Sequence, residues 1–187
     1  MGAVWIGPPA VAHLRGDRRT AREAQEACRR ARGHRCPLGR AGVRDVPART
    51  ETPYRERRSA FGKERYSALG IEREDWEARQ RAAIANWDCF GAPAALFIYI
   101  DRDLGLPQWA DVGMYLQTVM LLLRAEGLHS CPQMAWSQVR ETVAQTVSPP
   151  DGLILFCGLS IGYEDPTVSY IRTGRAPIDE TVTYVDA

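Results

Sequence analysis

The chain has 187 residues, 45% hydrophobic and 25% charged, with a formal net charge of +1. These are ordinary proportions for a domain large enough to bury a core without disulfides or metals, and they exclude a collagen, a coiled-coil rod and wholesale disorder. The near balance hides an asymmetry: residues 1–46 carry ten arginines against four acids, a net of +6, which leaves −5 on everything that follows.

Residues 1–46 show no sustained period of 2 or 3.6, and Gly, Pro and Arg punctuate them every few positions. Only Thr20 to Arg32 reads as a helix. An arginine patch without a stacking stripe or motif, here with Trp5 alone, does not make a nucleic-acid arm. Cys28, His34 and Cys36 offer three metal ligands at irregular spacing with no fourth, so no metal site is expected. The segment reads as a disordered or wrong-frame leader, separate from the domain expected over 47–187.

From Pro47 the character changes. Residues 53–68 and 73–88 read as charged helices, with Glu72, Glu74 and Asp75 favouring the dipole at the second one's start. Ala94 to Ile100 is a bulky, apolar run bounded by Pro93 and Asp101, as expected of an interior strand. Pro107 and Gly127 bracket the clearest helix, whose centre, 119–123, is apolar on every face; it should be buried, packing on its own sheet and on a second copy of the chain. A shorter helix over 136–146 follows, then a second buried strand from Leu153 to Cys157. The extended tail, 167–187, has Thr181 to Val185 as a candidate strand. This order argues for an α+β or α/β domain. No apolar run approaches the ~20 residues that span a bilayer, so no membrane partner is expected. Five cysteines without a CxxC pair point to the cytoplasm.

Three motifs tempt. Gly158-Leu159-Ser160-Ile161-Gly162 fits a serine-hydrolase elbow, but Tyr163 to Pro166 is turn chemistry where a helix should begin, and no histidine follows His129. Small residues ending a buried strand explain the match better. His129 and Cys131 would share one face of an extended segment; a packed cysteine beside a hydrogen-bonded histidine accounts for them better than a catalytic pair. Asp101-Arg102-Asp103 starts like a calcium loop, yet Val112 stands where the bidentate Glu belongs.

Five segments, taken in order, resemble the nitroreductase family: Phe90 to Pro93 leading into the strand that ends Ile100 to Asp103; Trp109 to Gln117; Gly127 to Gln133; Ile161 to Pro166; and Arg172 to Glu180. The resemblance implies an α+β fold, a sheet flanked by helices with a long buried central helix, built as an interwoven homodimer. It implies FMN at the subunit interface, with NAD(P)H as electron donor and a nitroaromatic, quinone or similar small molecule as acceptor. FMN needs a cation for its phosphate and hydrogen-bond partners for its ring. By resemblance, Ser130, Cys131, Pro132, Gln133 and Met134 pass over the isoalloxazine with their backbone amides near its redox-active edge, and Arg175 binds the phosphate. Where many relatives have a second basic residue two positions earlier, this chain has Thr173, and Arg172 stands in. No catalytic side chain is assigned.

Members of the family begin with an Arg-Arg-Ser-x-Arg-like segment, then a Pro-Ser-x-x-Asn-x-Gln-Pro-Trp-like stretch. Arg18-Arg19-Thr20-Ala21-Arg22 imitates the first by spacing; nothing like the second follows before residue 47. The expectation is that the N-terminal part of the fold is missing, replaced through a shifted frame, a misplaced start or truncation. The rival expectation for function is a non-catalytic fragment that serves as a dimerising or partner-binding module.

Overall fold

The computed structural model describes residues 11–12, 51–168 and 171–185. The candidate helix over 20–32 and nearly all of the leader therefore lie outside the described residues. The described chain divides into two units: Gln80–Glu164 together with the N-terminal strand, and Arg49–Arg79 together with the segment from Asp165 onward.

Among the described residues the first unit is built on a four-stranded antiparallel sheet. Its strands are β1 (Val11–Ala12), β2 (Ala94–Asp101), β3 (His129–Gln133) and β4 (Leu153–Gly162), in the order β1-β2-β4-β3. β2 and β4 are thus interior, as their unbroken apolar runs require. The expected second strand runs five residues beyond Cys157, through the Gly-Leu-Ser-Ile-Gly motif. Pairing slips between Ile98 and Tyr99, where Ile98 faces Cys157 but Tyr99 faces Leu155; Phe156 is the extra residue of a bulge. A bulge bends and twists its strand. Beyond it Tyr99 and Leu155 still share a face with Phe97.

Each face carries one core. On one, Ile98, Ile100, Ile154, Cys157 and Leu159 pack against Val112 and Leu116 of the helix α3 (Leu106–Ala125). On the other, Phe97, Tyr99 and Leu155 pack with Trp87 and Cys89 from a 3-10 segment (Ala85–Gly91), Trp136 from a second one (Met134–Val139), and Val143 of the short helix α4 (Arg140–Val147). The helix expected over 136–146 is therefore a 3-10 turn followed by an α-helix. Likewise the helix expected over 73–88 is α2 (Trp76–Ile84), giving way to the 3-10 segment where the backbone turns left-handed at Cys89.

α3 shows why Gly127 ends it. That glycine has φ +76°, its N–H donates to the Arg124 carbonyl (3.1 Å), and the Leu128 N–H donates to the Leu123 carbonyl (2.8 Å). This closes the last turn as a Schellman motif, for which a left-handed residue is required. Within the single chain α3 is covered on the side its own sheet supplies, which is the part of the expected burial that one copy can provide. Val112 and Leu116 are buried and Val119, Met120 and Leu123 pack on the sheet, but Met114, Leu121 and Leu122 are 62%, 61% and 63% exposed. A single sheet covers only one side of a helix.

In the second unit, α1 (Tyr54–Ala68) buries none of its residues. Asp75 accepts a hydrogen bond from the Ala78 N–H (2.9 Å), capping the start of α2, and the Arg79 guanidinium lies 4.5 Å from the centre of the Tyr66 ring. Arg57 pairs with Glu180 (2.6 Å) in a 3-10 turn, Ile178–Glu180. The strand expected over Thr181–Val185 does not form. The Val182 N–H donates back to the Ile178 carbonyl (2.8 Å), and among the described residues no strand pairs with this stretch. β-propensity without a ladder to join is not enough.

One core group is placed at a cost. Among the described residues the buried Tyr99 hydroxyl has no hydrogen-bond partner, and its burial pushes its pKa up to about 12. Tyr99→Phe is expected to raise stability by about 1 kcal/mol in urea denaturation, because an unsatisfied hydroxyl forfeits roughly that much or more. A loss of stability would mean that the hydroxyl is bonded.

Candidate functional site

Among the described residues β3 is an edge strand, bonded to β4 on one side only: His129 faces Gly162, Cys131 faces Ser160 and Gln133 faces Gly158. In an antiparallel edge strand alternate residues turn their backbone groups away from the neighbour. Pro132 fits there because a proline within a sheet is confined to edges. The segment Ser130–Met134, expected as a loop over a ring, is thus strand through Gln133 and 3-10 turn from Met134.

Both ends of this strand are fixed by side chains. At its start His129 lies between two charged groups, with Nε2 2.6 Å from the Glu164 carboxylate and 2.5 Å from the Arg124 guanidinium, while the Glu164 N–H donates to Nδ1 (3.3 Å). An accepting Nδ1 puts the proton of a neutral ring on Nε2, which then donates to Glu164; Arg124, having only donors, cannot bond that nitrogen at the same time. At the other end Gln133 is buried. Its Nε2 donates to the Asn86 carbonyl (2.6 Å) and its Oε1 accepts from the Ser160 hydroxyl. Just beyond, the Met134 carbonyl accepts from the Ser137 hydroxyl (2.6 Å) and the Ala135 carbonyl from the Trp87 indole (3.1 Å).

Asn86 belongs to a strained segment. Cys89 and Phe90 have φ of +51° and +53°, followed by Gly91 at +78°. Two successive non-glycine residues in the left-handed region cost about 1–3 kcal/mol each, and such strain gathers at functional sites.

The tempting motifs resolve. Ser160 lies inside β4, buried, with its hydroxyl committed to Gln133, so there is no elbow. The glycines of the motif are there for contact: a Cβ on Gly158 would stand 2.4 Å from the Trp136 ring, and one on Gly162 would stand 2.8 Å from Pro93. Cys131 directs its thiol to the Pro132 carbonyl (3.9 Å) and desolvation pushes that thiol up, so no Cys–His pair exists. Cys157 is pushed up to about 12 and Cys89 is also raised, both by burial. Among the described residues no cluster of His, Cys, Asp or Glu could hold a metal, and no helix is long and apolar enough to cross a membrane.

Arg172 and Arg175 lie in the second unit, both exposed. Arg175 donates to the carbonyls of Thr173 (3.0 Å) and Gly174 (3.4 Å), curling over its own turn. The sequence reading named Gln133 for its place in the segment and missed its role as the link between Ser160 and Asn86. Ser160 was visible only as a hydrolase motif. The His129–Glu164 contact spans 35 positions and no local pattern announces it.

A family model described as the nitroreductase family matches residues 41–163. The chain belongs to the nitroreductase family, with that family's α+β fold. Among curated relatives, the 4-nitrobenzoate reductase of Nocardioides sp. (strain LMS-CY) is 35% identical over 138 residues, covering 72% of this chain and 56% of the relative. The 4-nitrobenzoate reductase of Pseudomonas putida is 36% identical over 124 residues, covering 65% and 55%. The chain spans about half the length of these curated relatives. Among solved structures, one described as the FMN and NADPH-dependent nitroreductase NfnB from Sphigopyxis sp. strain HMH superposes with a TM-score of 0.86 at 34% identity, covering 96% of this chain and 81% of that one.

Proposed function

We propose that this chain is an FMN-dependent oxidoreductase that takes electrons from NAD(P)H and passes them to nitroaromatic or similar acceptors. What supports this is that Ser130–Met134, the segment the family resemblance lays against the flavin, is edge strand through Gln133 among the described residues, and that strand is clamped at both ends. The first unit offers backbone N–H groups of this segment for the ring's heteroatoms, and the second unit, taken by itself, carries the exposed Arg172 and Arg175 guanidiniums, a group that binds phosphate in bidentate fashion. Bound FMN would supply the acceptance of a hydride and the delivery of electrons. The residues supply placement: Gln133 and His129 hold the strand's backbone, and Pro132 stiffens it.

The reading includes a homodimer. Met114, Leu121 and Leu122 share one side of α3 and are mostly exposed. They lie at i, i+7 and i+8, the stripe a helix offers to a partner, and contiguous exposed apolar groups mark such surfaces. We also place the chain in a reducing cytoplasm, since Cys89, Cys131 and Cys157 are all free. The activity is tested by NADPH consumption with 4-nitrobenzoate and a quinone, with FMN supplied. Acceptor-dependent oxidation is expected; none with either acceptor, by FMN-loaded protein, would rule the activity out.

A further inference from the structure

We propose that Ser160 and Gln133 are a positioning pair for the flavin-facing segment, which rests on the FMN reading above. Ser160 stands on interior β4 and faces Cys131 across the ladder; Gln133 lies one diagonal step along β3 on the same face. The Ser160 hydroxyl donates to Gln133 Oε1, and Gln133 Nε2 donates to the Asn86 carbonyl, three residues before the left-handed run begins at Cys89. One side-chain amide therefore ties together the interior strand, the last residue of the edge strand and the strained segment. Both ends of the amide are used, which fixes its orientation.

Position makes the tie matter. Gln133, at φ −128° and ψ 93°, is where β3 leaves the ladder, so its backbone sets the direction in which the Met134 N–H points. The Met134 and Ala135 carbonyls are already drawn inward by Ser137 and Trp87. An edge strand has one ladder instead of two, and without this anchor its exit would swing about the Gln133 backbone. Buried polar bonds of this kind hold a binding segment to the fraction of an ångström that recognition needs.

The test uses the full chain and FMN, with Ser160→Ala, Gln133→Leu and the double variant. FMN binding is followed by fluorescence quenching, and the visible absorption and circular dichroism of the bound flavin are recorded. Ser160→Ala is expected to weaken FMN about tenfold, the equilibrium equivalent of one lost buried hydrogen bond, and to shift the flavin bands. The double variant should bind no more weakly than Gln133→Leu, because the two residues act as one unit. Should Ser160→Ala not fold, Ser160→Cys keeps the shape with a weaker donor and is expected to show the same shift in smaller degree. Wild-type affinity and unchanged bands in a folded variant overturn the inference alone. Failure of the wild type to bind FMN overturns the FMN reading and this inference with it.

Discussion

Replacing Trp136 by alanine is expected to cost about 3–5 kcal/mol, enough to leave the first unit marginal or unfolded when a whole domain has only about 5–15 kcal/mol to lose. Trp136 is 0% exposed, meets Phe97 edge-to-face at 5.0 Å and 88°, and fills the space that Gly158 leaves open. The loss combines the transfer of a large aromatic surface, the cavity and the ring contact. The converse change, Gly158→Ala, puts a methyl into that ring and should cost about 1–3 kcal/mol through overpacking. Trp136→Phe keeps an aromatic there and removes a buried indole N–H that has no partner among the described residues, so it should cost less than alanine does. Urea denaturation followed by far-ultraviolet circular dichroism measures all three. A Trp136→Ala cost below about 1 kcal/mol would show that this core is looser than its geometry implies.

A single charge on the free side of α3 is expected to abolish self-association. Leu121 and Leu122 are 61% and 63% exposed, so arginine at either position leaves the isolated chain stable. In the proposed homodimer the same arginine would be buried without a counter-charge, a penalty of several kcal/mol, so association should weaken by about a hundredfold or more. If FMN sits at that interface, the variants lose flavin as they dissociate. Light scattering with size exclusion measures mass, and absorbance near the flavin bands measures occupancy. Equal masses for wild type and Leu122→Arg would remove α3 from the interface.

These two predictions fall on opposite sides of what the sequence made legible. α3 was readable because Pro107 and Gly127 are local signals and its centre is apolar all round; only the sheet could show which side stays open. The interior strands were readable from their unbroken apolar runs, although Gly158, which looks like a strand's end, lies inside β4 against Trp136, and the strand runs on to Gly162, which meets Pro93. Thr181–Val185 misled because a β-branched run says nothing about whether a partner strand exists. The segment proposed to face the flavin was placed by resemblance, whereas its two clamps were not legible: they join residues 27 and 47 positions apart at one end and 35 at the other. Such contacts are products of the ladder's register, which one-dimensional spacing does not encode.

Whether this chain holds FMN is read from the visible spectrum of the purified protein before and after FMN is added. A yellow protein is expected, or saturable perturbation of the flavin bands on titration, with anaerobic NADPH bleaching the bound form. No co-purified flavin, together with no spectral change across the titration, would contradict it.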